Sequence, residues 1–134
     1  MIHRRPFLVL SAAALLTALA TPPSRAEAPR AVAFDQAAYE AALAAGTPML
    51  VGITAPWCPT CRAQKAVFAD LLQAPRYADL LVLEVDFDTR PETVRALGAR
   101  AQSTLIVYAG GEEVGRSVGQ TRPEVLRTLI DKAY

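Results

Sequence analysis

Met49-Leu50-Val51-Gly52-Ile53-Thr54-Ala55-Pro56-Trp57-Cys58-Pro59-Thr60-Cys61 joins an apolar run to the only two cysteines of the chain. The run reads as a buried strand and a helical pattern follows from Arg62, so both thiols fall at a strand-to-helix junction. A thiol is a weak nucleophile until it loses its proton, and the unpaired N–H groups of a first helical turn favour the anion. Cys58 lies at that end and is expected to be the exposed, attacking thiolate. Cys61, three residues on, shares its helix face, so the pair can close and reopen a disulfide with Cys61 as the shielded resolving thiol.

Three plainer readings compete with redox chemistry: a structural disulfide, two unrelated thiols, or half of a zinc site. A structural disulfide normally closes a longer loop, because one spanning two residues constrains the unfolded chain little. Zinc needs four nitrogen or sulfur ligands, and the sole histidine, His3, lies in a segment expected to be removed. A CxxC pair beside a βαβ-like pattern favours the redox reading.

On the N-terminal side, His3-Arg4-Arg5 precede an apolar run from Phe7 to Ala20, followed by Thr21-Pro22-Pro23-Ser24-Arg25-Ala26-Glu27-Ala28. This is the three-part pattern of a secretory signal peptide, too short for a comfortable membrane span. Residues 1–26 are therefore expected to be a signal peptide cut after Ala26 or Ala28, leaving residues 27–134 as one exported domain with no stable membrane span. Arg4-Arg5-Pro6-Phe7-Leu8 also resembles a twin-arginine export signal, so either export route is open. Of the fourteen basic side chains, Arg4, Arg5 and Arg25 leave with the signal, and eleven remain against thirteen acidic ones, a net charge near −2. The remaining charges alternate in sign along the chain, as on a solvated surface, and nothing points to nucleic acid.

The exported part reads as alternating elements. Ala31-Val32-Ala33-Phe34 is a short strand; Asp35 is a plausible N-cap for a helix ending at Gly46; Pro48 opens the buried strand to Thr54. Val67, Phe68, Leu71 and Leu72 recur at helical spacing up to Pro75, and Leu80 to Phe87 form a second central strand. A helix from Pro91 to about Leu97 follows, then a hairpin turning at Gly110-Gly111, then a last helix with Thr121 and Glu124 as its capping box. The order is βαβαβαββα.

Ala55-Pro56-Trp57-Cys58-Pro59-Thr60-Cys61, the strand end Val85-Asp86-Phe87-Asp88 and the hairpin from Gly111-Glu112 to Gly119 together resemble the thioredoxin-fold family from about Phe34 to Ala133. The string Trp-Cys-Pro-Thr-Cys-Arg-Ala resembles the membrane-tethered thiol reductases of cytochrome c maturation more than cytoplasmic thioredoxin. The resemblance implies an α/β thioredoxin fold, a five-stranded mixed sheet with helices on both faces. It implies a periplasmic thiol–disulfide oxidoreductase without cofactor, in which Cys58 attacks a protein disulfide, Cys61 resolves it, and Trp57 lines the groove. Its partners would be disulfide-bearing exported proteins and a membrane electron donor of the periplasmic reductase type.

Two departures from the family pattern sharpen these expectations. Ser103 falls where the family has a cis-proline, so a trans bond and a reshaped loop are expected, with Gln102, Ser103 and Gly119 completing the substrate groove. Gly52 stands where the family has a buried aspartate six residues before the first cysteine. Glu84, inside the apolar run of the adjacent strand, either replaces it as the base that takes a proton from Cys61 or points to solvent at the sheet edge. Loss of the proline also leaves open a dimeric iron–sulfur or zinc protein with Cys58 and Cys61 contributed by two subunits. A non-catalytic thioredoxin-like binding module is a third class, although it would have no need of both thiols and Trp57.

Overall fold

The strand β2, Met49–Thr54, is the centre of the molecule, and Met49, Leu50, Val51 and Ile53 are each no more than 1% exposed. Burying a side chain of this size stabilises the fold by about 1.5–3 kcal/mol, so this strand is a firm anchor for the cysteine segment directly after it. The structure, a computed structural model, describes residues 27–134; the expected signal segment lies outside the described residues. Around β2 the sheet runs β1-β3-β2-β4-β5, with β1 at Ala31–Ala33, β3 at Leu81–Asp86, β4 at Thr104–Ala109 and β5 at Glu112–Val118. The pairs β1–β3 and β3–β2 are parallel, while β2–β4 and β4–β5 are antiparallel. The five-stranded mixed sheet and the element order agree with the sequence reading.

Side chains alternate across a strand, so each strand feeds both faces of the sheet. Met49, Val51, Ile53, Leu83, Val85 and Ile106 face α1 (Gln36–Ala45) and α3 (Pro91–Ala96). Leu50, Val82, Leu105 and Val107 face α2 (Pro59–Leu71) and α4 (Pro123–Ile130). The continuous apolar runs of β2 and β3 follow from this two-sided burial.

Local signals explain most of the boundaries. The Asp35 carboxylate accepts the Ala38 N–H at 2.8 Å and caps α1, which ends at Gly46 in the left-handed conformation, φ 67°. The β4–β5 hairpin turns at Gly110 and Gly111, both at positive φ, and a Cβ on Gly111 would lie 2.6 Å from the Leu43 carbonyl oxygen of α1. Only glycine fits there. One expectation fails: α4 has Arg122 as its N-cap, with no side-chain bond, in place of a Thr121–Glu124 capping box. Pro123 fixes the first helical residue, which leaves Thr121 outside the helix and Glu124 in an ion pair with Arg122 at 2.9 Å.

Candidate active site

The helix α2 begins at Pro59, three residues earlier than its apolar periodicity indicates, because proline suits the first helical position. Cys58 is consequently the N-cap residue, and its Sγ accepts the Cys61 backbone N–H at 3.1 Å. The two cysteines are joined as a disulfide, with their Cα atoms 5.3 Å apart. The expectation of an exposed Cys58 is not met in this state: Cys58 is 2% exposed and Cys61 3%. Both are enclosed by Ala55 before them and by Phe87, which arrives from the end of β3. When the disulfide opens, the N–H that points at Cys58 Sγ and the free end of the helix are in place to stabilise a thiolate.

Trp57 is 55% exposed beside the disulfide, yet it is not loose. Its indole Nε1 donates to an Asp88 carboxylate oxygen at 2.7 Å. Asp88 is in turn set by Asp86, whose carboxylate accepts the N–H groups of Asp88 and Thr89, both at 2.9 Å. Those backbone donors, Thr89 first, hold the Asp86 carboxyl below its ordinary range. The strand end that looked like a family mark is thus a turn that orients the tryptophan.

Ser103 lies in the loop before β4, and there is no cis peptide bond among the described residues, so its bond is trans as expected. Its φ is 57°, the one positive value outside glycine among the described residues, a conformation costing about 1–2 kcal/mol. Hydrogen bonds hold it there. The Ser103 N–H donates to the Ile53 carbonyl at the end of β2, 2.7 Å, and its hydroxyl donates to the Gln102 carbonyl, 2.6 Å. Its own carbonyl accepts from Gly119 N–H at 3.0 Å and from Gln64 Nε2 at 3.1 Å. Ser103 and Gly119 therefore meet directly, with Gln102 half-buried alongside.

Behind Cys61 is a cavity of about 550 Å³ between α2, the sheet and the segment before β1. Cys61, Gly52, Gln64, Lys65, Phe68 and Glu84 are among its walls. Glu84 sits opposite Gly52 in the β2–β3 register, its side chain is 28% exposed, and both of its carboxylate oxygens are 3.1 Å from Lys65 Nζ. The apolar run suggested a more sealed position, but the neighbouring helix brings a lysine that the strand pattern does not show. Glu84 and Cys61 share the cavity, which puts the carboxylate on the Cys61 side of the disulfide.

Gln64 and Lys65 are site residues that sequence reading did not single out, and Phe87 and Asp88 entered it only as part of the Val85-Asp86-Phe87-Asp88 strand end. For Gln64 a signal existed: it lies one helical turn beyond Cys61, on the face of α2 that continues to Phe68. A four-thiolate metal site would need both cysteines reduced and a second copy of the chain, because the sequence holds no other cysteine.

Residues 30–132 match the Thioredoxin family. Over 60% of its length the chain is 35% identical to Thioredoxin H2-1 of Oryza sativa subsp. japonica, and over 67% it is 35% identical to an M-type thioredoxin of Zea mays. It spans about half of these two relatives, 57% and 53% of their lengths. It is also 36% identical to the thioredoxin of Mycobacterium tuberculosis over 66% of this chain and 77% of that one. Among solved structures, Trxlp from Edwardsiella tarda EIB202 superposes with a TM-score of 0.72 and 38% identity, covering 75% of this chain and 98% of that one. A disulfide across a CxxC pair at the start of α2, on a sheet of order β1-β3-β2-β4-β5 and with a family match across the described domain, places this chain in the thioredoxin family.

Proposed function

We propose that this protein is a thiol–disulfide oxidoreductase that reduces disulfides of exported proteins in the periplasm. The observation that carries this reading is the Cys58–Cys61 disulfide at the helix start, with the Cys61 N–H already directed at Cys58 Sγ. The reduced protein holds the electrons. The Cys58 thiolate attacks one sulfur of a client disulfide and displaces the other as a thiolate, leaving a mixed disulfide. Cys61 then gives its proton to the Glu84 carboxylate and attacks Cys58 Sγ, the second client thiolate leaves, and the Cys58–Cys61 disulfide forms. Two electrons have passed to the client, and a membrane electron donor of the periplasmic reductase type restores the dithiol.

Several features support the finer parts of this reading. Glu84 lines the same cavity as Cys61, which supports it as the acceptor in the proton step. Trp57, Gln102, Ser103 and Gly119 form the client groove, with Ser103 in the position of the family's proline. The uncharged Pro59-Thr60 pair between the cysteines adds nothing that would stabilise the reduced form strongly, which favours a reductant over an oxidant. The N-terminal pattern supports export, and the Trp-Cys-Pro-Thr-Cys string supports kinship with cytochrome c maturation reductases.

Insulin reduction by the domain spanning residues 27–134 tests the activity, and Cys58→Ser is expected to abolish it. Cys61→Ser should retain clients as mixed disulfides on Cys58, and those clients identify the pathway. A potential of about −120 mV against glutathione, the value of the strongest oxidase of this fold, would overturn the reductant assignment.

A further inference from the structure

Gln64 is a buried amide, 3% exposed, on the helix that carries Cys61 and one turn beyond it. Its side-chain N–H₂ donates to two carbonyls from separate loops: Ser103 O at 3.1 Å, 39 residues away, and Gln120 O at 2.9 Å, 56 residues away. Both protons of the amide are thus engaged. The two loops are themselves tied together, since the Ser103 carbonyl also accepts the Gly119 N–H. The result is a closed network that joins the redox helix to the Ser103 loop and to the end of β5. It also explains how Ser103 stays in its left-handed conformation, which needs fixed partners on its carbonyl side.

The helix itself has no need of an amide at position 64, because both bonds of that amide go to loops outside α2. An interior polar group bonded to two loops specifies geometry. We propose that Gln64 is the positioning residue of the client groove, which fixes Ser103 and Gly119 relative to the disulfide and so governs recognition of protein disulfides without taking part in the sulfur exchange. The proposal rests on the thiol–disulfide exchange put forward above. A protein client must fit against the loops, whereas a small disulfide needs only the Cys58 sulfur, so the two substrates separate recognition from chemistry.

The test compares wild type with Gln64→Met, which keeps the length and volume but removes both donors. For insulin, KM is expected to rise about tenfold with kcat held within about twofold, the pattern of lost uniform binding. The rate with the small aromatic disulfide 5,5′-dithiobis(2-nitrobenzoate) and the glutathione equilibrium constant should each stay within about twofold of wild type. Gln64→Asn, one methylene shorter, should fall between the two. An unchanged KM for insulin, or an equal slowing with both substrates, overturns the proposal. If wild type reacts with neither disulfide, the exchange reading itself fails and takes the proposal with it. Should the variants not fold, the wild-type amide decides: Gln64 side-chain protons that exchange with solvent as fast as those of an exposed glutamine would contradict the network.

Discussion

Gly52 shows how a single missing side chain shapes a site. A Cβ built there meets only Leu105 Cδ2, at 3.7 Å, an ordinary contact, and the position opens on the cavity behind Cys61. Gly52→Asp therefore has room to put a carboxylate in the cavity beside Cys61, the thiol proposed to resolve the mixed disulfide. In a Glu84→Gln background, where resolution of the mixed disulfide should slow, adding Gly52→Asp is expected to restore its rate by about tenfold or more, read by stopped-flow release of a client thiol. A rate that stays low would show that the cavity is not the route taken by the Cys61 proton. Trp57 offers a second case. It is the only tryptophan, and Asp88→Ala removes the acceptor of its indole N–H, so fluorescence anisotropy should fall as the ring gains freedom. The stability change should be small, under about 1 kcal/mol, because the bond is exposed to water.

At the scale of the element, α4 stands to gain from a better start. It packs Leu126, Leu129 and Ile130 into the core, yet starts without a side-chain cap. Arg122→Ser should supply one and add about 0.5–1.5 kcal/mol, measured as a shift in the urea midpoint. The Arg122–Glu124 pair lost in the exchange is about two-thirds exposed on both sides and contributes little. If the midpoint falls, the α4 start is not limited by its cap. The start of this helix shows what sequence can and cannot carry. Asp35 was legible as a cap because its partner lies three residues away and nothing intervenes, while the same pattern at Thr121 was cancelled by Pro123 moving the start. The buried runs of β2 and β3 were equally legible, since apolar continuity is local information. The enclosure of Cys58 was not, because Phe87 comes from another strand, and neither were the partners of Gln64 or the lysine facing Glu84, which only the tertiary fold brings close.

For the molecule as a whole, three tyrosines link stability to pH. Burial, with a hydrogen bond between the Tyr108 and Tyr39 hydroxyls, raises the Tyr108 pKa; burial and a bond to Asp131 raise Tyr77; burial and a bond to Asp79 raise Tyr134. A raised pKa means that folding favours the neutral phenol. Its contribution is complete below the unfolded value, about 10, and is lost as pH rises from there through the folded values. The urea midpoint should therefore hold steady from about pH 8 to about pH 9.5 and decline beyond, with phenolate absorbance for the buried Tyr77 and Tyr108 rings appearing only as the chain unfolds. Phenolate signal from all tyrosines well before unfolding would refute the assignment. The same global view bears on the hairpin tip. Because the backbone of Gly111 lies directly against the Leu43 carbonyl while Gly110 faces open space, an epitope or affinity tag spliced into this tip should leave through position 110 and keep the glycine at 111. Any use of this tip for peptide display has to preserve that one glycine.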